Sequence, residues 1–205
     1  MIAYNKIKQI IRLYSIPKFV FLNKFIKNYS KDKIKVLDVG CGNKSPSITT
    51  SLFPKIEYFG LDKEDYNLTI ENKRILENRY FRIEHTTRGT EILEILAKKL
   101  KVGGGIYIEF PSVKSLAFPS MPGTLNFCDD PTHVRLYDIK EVANTLIKCG
   151  FKVIKAGTRR NFIRCLLTSM VIIYQLMKIK KIEGGAFWDI LGFAEFVYAV
   201  KIKSL

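Results

Sequence analysis

Apolar residues along this chain fall into short blocks, each ended by glycine or by a polar run. Val36, Leu37 and Val39 form one block, closed by Gly40. Tyr58, Phe59 and Leu61 form a second, closed by Asp62, and Ile106, Tyr107, Ile108 and Phe110 a third. Blocks of this length bounded by turn residues predict buried strands, here at 34–39, 56–61 and 106–110. Two more are predicted, one starting at Gly150-Phe151 and one over 195–201. Between these blocks the period changes. Ile92, Leu93, Ile95, Leu96 and Leu100 recur at helical spacing and predict a helix over 90–100 packed on a sheet, with Gly103-Gly104-Gly105 after it. Residues 138–149 predict another, stopped by Gly150, and 46–51 a short first crossover. Strands alternating with helices predict an α/β fold with a largely parallel sheet.

Two further apolar stretches stand outside that alternation. Residues 1–30 form an N-terminal amphipathic segment in which Ile7, Ile10, Ile11 and Tyr14 share a helical face beside Lys6, Lys8 and Arg12. Pro17 interrupts it before a second apolar group, Phe19 to Ile26. Residues 31–205 form the main domain, with a helical insertion over about 160–183 whose stretch 162–180 is apolar most of the way round. The first stretch reads either as a helix capping the sheet edge or as one lying on anionic lipid. The second reads either as a helix covering the active site or serving a dimer, or as a monotopic membrane attachment. No apolar run reaches the ~18–20 residues that cross a bilayer.

The chemistry concentrates at Asp38-Val39-Gly40-Cys41-Gly42. A strand running into a glycine turn lets backbone approach a ligand closely. An acid twenty residues beyond Gly42, at Asp62, is suited to ribose hydroxyls. A nucleoside-containing cofactor fits such a pair. The dinucleotide fingerprint would need a glycine where Ser45 stands, and Asn43-Lys44-Ser45 lacks the P-loop frame.

This turn resembles the first motif of class I S-adenosylmethionine-dependent methyltransferases. The resemblance extends to Leu100-Lys101-Val102-Gly103-Gly104-Gly105 before the fifth strand, with Val102 where proline is usual, and to Cys149-Gly150-Phe151 before the sixth. It implies a Rossmann-like sheet with helices on both faces and an antiparallel last strand, S-adenosylmethionine as cofactor, and methyl transfer as activity. Asp38, Gly40, Cys41 and Gly42 would border the methionine end and Asp62 the ribose. Glu84-His85-Thr86 is similar to the pair after the fourth strand, which adds His85 to the cofactor set.

The middle is short. Only 21 residues separate Asp62 from Glu84, too few for two crossovers and two strands, each βαβ unit needing ~30. The sheet is therefore expected to be abbreviated, a strand short. Residues 79–83 would be a remnant of the fourth strand, and Glu71 or Glu77 would stand in for the acid that contacts adenine.

An acceptor hydroxyl would need a base. The string Asp130-Pro131-Thr132-His133-Val134-Arg135-Leu136-Tyr137 resembles a loop after the fifth strand in bacterial methyltransferases of cell-surface glycan and lipid biosynthesis. There His133 would accept the proton and Asp130 orient it, with His85 the second candidate. Asp129 and Arg135 are candidate substrate contacts, and Trp188 would line the acceptor pocket or fill the core. No metal is expected. Each of these residues also has a purely structural reading, Asp130 as a turn cap above all.

Composition narrows the setting. The 205 residues suffice for one α/β domain, and 47% hydrophobic residues for its core. Four scattered cysteines without metal-ligand spacing, and no leader pattern at the start, point to the cytoplasm. The net charge of +15 fits an anionic substrate or peripheral contact with the inner membrane as well as a lysine-rich solvated surface. Without basic residues interleaved with stacking aromatics, nucleic acid ranks last. The expected partner is a small-molecule or glycan-linked acceptor. The rival reading is a catalytically inactive methyltransferase-like scaffold at the cytoplasmic membrane face.

Overall fold

The computed structural model describes residues 2–29, 34–42, 44–62, 80–82, 89–131 and 133–204, with backbone alone over 2–8, 29 and 80–82. Two helices open the chain, α1 (Ile2–Ser15) and α2 (Pro17–Tyr29). Contacts divide the molecule into two compact units. Residues 15–21 group with the second, and the rest of both helices with the first.

The first unit holds a three-stranded parallel sheet. Strand β1 (Lys35–Val39) pairs with β2 (Glu57–Asp62) from Lys35↔Glu57 to Val39↔Leu61. The short helix α3 (Ser45–Leu52), with Pro46 in its first turn, forms the crossover. Strand β3 (Tyr80–Arg82) pairs with the other edge of β2, Gly60↔Tyr80 to Asp62↔Arg82. In a doubly wound 3-2-1-4 order that edge belongs to the third strand, not the fourth. The expected fourth-strand remnant thus occupies the third-strand position. Nor is β1 buried on both faces as its apolar run suggested. Among the described residues of this unit it pairs on one side only, and Leu37 and Val39 remain 47% exposed.

The second unit holds strands β4 (Gly105–Pro111), β5 (Phe151–Thr158) and β6 (Ala194–Lys201), in the order β4-β6-β5. β6 runs antiparallel to both neighbours, which supplies the expected antiparallel last strand. Its alternation explains the core. Val197 and Ala199 face a cluster with Phe110, Leu93 and Ala97 of α4 (Gly89–Lys99), and Val142 and Leu146 of α5 (Ile139–Lys148). Phe196, Tyr198 and Val200 point to the opposite face, where Phe21 and Tyr107 cover them. The register slips between Val153 and Lys155 of β5, placing a bulge at Ile154.

Local chemistry sets these boundaries. Asp138 caps α5 by accepting the Lys140 amide at 2.7 Å. Gly150 stops the helix at φ +84°, and a Cβ there would lie 2.5 Å from the Lys203 carbonyl. Lys201, almost wholly buried, donates its ammonium to the Ala97 carbonyl at 2.8 Å, neutralising the C-terminal end of α4. Between β5 and β6 the chain runs through α6 (Phe162–Ile179) and the single turn α7 (Trp188–Leu191) instead of a hairpin.

Candidate functional site

In the first unit the β1 turn and the tip of β2 come together. Gly40 and Gly42 have φ of +70° and +60°, and among the described residues no atom lies within 4 Å of where their Cβ atoms would be. The left-handed backbone costs little only for glycine, and the open space is where a ligand would approach. The turn is fixed by β2: the Gly40 and Cys41 amides donate to the Leu61 carbonyl at 2.7 and 3.3 Å. The Gly42 amide donates to Asp62 Oδ2 at 2.7 Å. Asp62, 8% exposed, therefore both holds the turn and places a carboxylate at its edge.

Asp38 is anchored from two sides. Its Oδ2 accepts Ser45 Oγ at 2.5 Å and Tyr58 Oη at 2.8 Å. Burial, then the Asp38 charge, pushes the Tyr58 phenol far above its ordinary range. Cys41 packs buried beside Tyr58. Burial and the carboxylates of Asp38 and Asp62 push its thiol up to about 11, so it stays protonated at neutral pH. Tyr58, Gly60 and Asp62 share the buried face of β2, so period-two alternation would have flagged Tyr58, which sequence reasoning passed over. His85, Glu71 and Glu77 lie outside the described residues.

In the second unit the loop over 118–138 holds the acceptor candidates, and most of them serve the loop itself. Asp129 Oδ2 accepts the amides of Met121, Leu125 and Asn126 at 3.1, 2.8 and 2.8 Å, and Oδ1 accepts Ser120 Oγ at 2.5 Å. Those donors hold its pKa well below the usual carboxylate range, the Ser120 bond foremost. With four bonds made internally, Asp129 staples the loop. Trp188 stacks on Phe193 with ring centres 4.7 Å apart and donates Nε1 to the Thr124 carbonyl at 2.6 Å. Its ring fills a cluster with Leu125 and Phe193, the core-filling alternative.

His133 stacks on Phe127, ring centres 5.0 Å apart, with Nδ1 2.9 Å from the Phe127 carbonyl. A carbonyl accepts only, so Nδ1 is the nitrogen that donates to it. Asp130 Oδ2 lies 3.8 Å from Nε2, beyond hydrogen-bond length. The Phe127 carbonyl thus holds the ring at Nδ1, with Asp130 at ion-pair distance on the Nε2 side. Arg135 reaches Glu141 at 2.6 Å while its guanidinium stays partly exposed over Tyr137.

Sequence reasoning missed a buried ionic cluster. Arg159, 6% exposed, bonds Glu109 Oε1 at 2.6 Å and Asp189 Oδ2 at 3.1 Å. Arg164 adds a second contact to Asp189 at 2.7 Å, and the Asn161 amide donates to Asp189 Oδ1 at 3.0 Å. Burial opposes the Arg159 charge, but the two carboxylates outweigh it and push its pKa up. These partners stand 30 and 50 residues apart in sequence, so no local pattern announces them. Among the described residues, no group of acidic, histidine or cysteine side chains is placed to hold a metal.

No family model matches the sequence, and no curated protein matches it. Solved structures do match. Phosphoethanolamine N-methyltransferase 2 of Haemonchus contortus, in complex with S-adenosyl-L-methionine, aligns at TM-score 0.56 and 17% identity over 88% of this chain. The chain spans 52% of that enzyme's length. A second complex of the same enzyme, with phosphomonomethylethanolamine and S-adenosylhomocysteine, gives 0.58 and 16% over 88% of this chain and 52% of that one. An S-adenosylmethionine-dependent methyltransferase from Mesorhizobium loti aligns at 0.56 and 12%, over 90% of this chain and 97% of that one. At such identities the likeness is one of architecture. The chain has the α/β, Rossmann-like methyltransferase fold.

Proposed function

We propose that the chain binds S-adenosylmethionine at the β1 turn and transfers its methyl group to a small-molecule or glycan-linked acceptor. The observation that carries this reading is the pairing of two left-handed glycines, each open where a side chain would stand, with the Asp62 carboxylate. In this reading Asp62 takes the ribose hydroxyls, while the backbone at 40–42, held by Leu61 and Asp62, follows the amino-acid end. The solved structures support the choice of cofactor, because an enzyme of this architecture holds S-adenosylmethionine in one complex and S-adenosylhomocysteine in another.

The sulfonium makes the methyl carbon electrophilic, so the protein's work is to align the acceptor and exclude water. For a hydroxyl acceptor His133 is the base, its Nε2 lone pair fixed by the Nδ1–H bond to Phe127. Arg135, partly exposed, suits an anionic acceptor group. The acceptor belongs to bacterial cell-surface glycan or lipid synthesis, a reading supported by the loop resemblance at 130–137. The setting is the cytoplasm, supported by four free cysteines.

Equilibrium dialysis of the full chain against labelled S-adenosylmethionine tests this reading. Saturable binding in the micromolar range is expected, competed by S-adenosylhomocysteine. Absence of saturable binding at millimolar cofactor would leave the inactive scaffold as the better description.

A further inference from the structure

Helix α6 exposes most of its apolar surface. Its covered face carries Arg164, Thr168 and Gln175, each making a polar contact with the rest of the unit, with half-buried Leu167 and Ile172 among them. Arg164 pairs with Asp189 at 2.7 Å, Thr168 Oγ1 lies 3.3 Å from the Ala186 carbonyl, and Gln175 Oε1 accepts the Glu183 amide at 3.2 Å. Thr168 is its only fully buried residue. The opposite face presents Leu166, Met170, Ile173 and Met177, 57–77% exposed, at the i, i+4, i+7, i+11 spacing of one stripe. A soluble helix with its apolar stripe outward has given up the hydrophobic gain that normally orients it.

We infer that this face of α6 docks in the plane of an anionic phospholipid surface. Length and apolarity alone would let α6 cross a bilayer, contrary to the sequence expectation. The fold argues otherwise, because the chain after the helix turns back and places Ala186 beside Thr168, at mid-helix. A helix packed along its middle against the polar unit lies on the membrane and does not span it.

Charge selects lipid over a second copy of the chain. From Arg159 to Ile182 there are six basic residues and no acid. Arg160 precedes the helix, Lys178, Lys180 and Lys181 cluster at its end, and all four are exposed. Two α6 helices face to face, parallel or antiparallel, would bring cations against cations. Anionic headgroups complement both ends, with the lysines reaching them past the apolar stripe. At the N-terminal end a cavity of about 220 Å³, lined in part by Phe21, Lys155, Arg160 and Asn161, offers further positive charge beside Asn161, the cap of α6.

Flotation with vesicles of phosphatidylcholine, with and without phosphatidylglycerol, tests the inference on the full chain. Binding is expected to the phosphatidylglycerol vesicles and to weaken in high salt. The triple variant Leu166→Gln/Met170→Gln/Met177→Gln, at exposed positions, should lower the partition coefficient by at least about tenfold. Lys180→Gln/Lys181→Gln should lower it by about tenfold. Unchanged circular dichroism melts would confirm folding in both variants. No flotation at low salt, or flotation untouched by the triple variant, would overturn the inference. So would sedimentation showing a wild-type dimer that the triple variant abolishes. The readout needs no S-adenosylmethionine, so it stands or falls separately from the proposed activity.

Discussion

The β1 turn and the loop around Asp129 each bring a carboxylate onto backbone amides, with opposite results. At the turn, Asp62 accepts the Gly42 amide beside backbone that leaves space where side chains would be. At the loop, Asp129 takes three amides and a hydroxyl and is spent on its own surroundings. The difference between the two lies in the backbone beside the acid: open where the Gly40 and Gly42 side chains would stand, and folded back onto the carboxylate at Asp129.

The largest expected effect comes from Asp62→Ala. On the proposed reading Asp62 makes two charge-assisted bonds to ribose, each worth about 1.5–3 kcal/mol, so its loss should weaken S-adenosylmethionine binding by about 100-fold or more in titration calorimetry. Asp129→Ala should leave that affinity near wild type, and equal losses in the two variants would erase the contrast. Next comes Gly40→Val. It puts a branched side chain at φ +70°, costing roughly 1–2 kcal/mol of stability in denaturant titration, and it fills ligand space, so affinity should fall beyond what unfolding explains.

Asp129→Ala strands three loop amides and should unfold earlier on heating than Asp130→Ala. Its pKa is held low, so its contribution is complete above the ordinary carboxylate pKa and disappears as pH falls through the lowered value. Trp188→Phe keeps the stack on Phe193 and loses the bond to Thr124, for a cost of about 1 kcal/mol. The smallest effect is at Cys41. Its thiol rises from 9.0 to about 11 on folding, so the unfolded chain ionises first and stability should fall as pH rises above about 9. At pH 8 iodoacetamide should modify exposed Cys128 well before Cys41.

The glycine turn and Asp62 were legible because local spacing encodes them: one strand, one turn and an acid at the end of the next strand. The helix stop at Gly150 and the last strand, β6, were legible for the same reason. The roles of Asp129 and Trp188 were not, because they depend on how one loop folds onto itself, and acidic and aromatic side chains serve ligands and loops alike. Arg159 and Asp189 meet only through tertiary folding, and Lys201 reads as a surface lysine until the end of α4 is seen beneath it. The position of β3 turned on its pairing partner, a choice of edge that a three-residue strand does not carry in its sequence.

The most direct test is an amide-resolved NMR titration of the full chain with S-adenosylhomocysteine. The expected result is saturable shifts of the Gly40, Cys41 and Gly42 amides with one common Kd, while the amides of Met121, Leu125 and Asn126 around Asp129 stay in place. Resonances at 40–42 that do not move at saturating ligand would contradict the assignment of the β1 turn as a cofactor site.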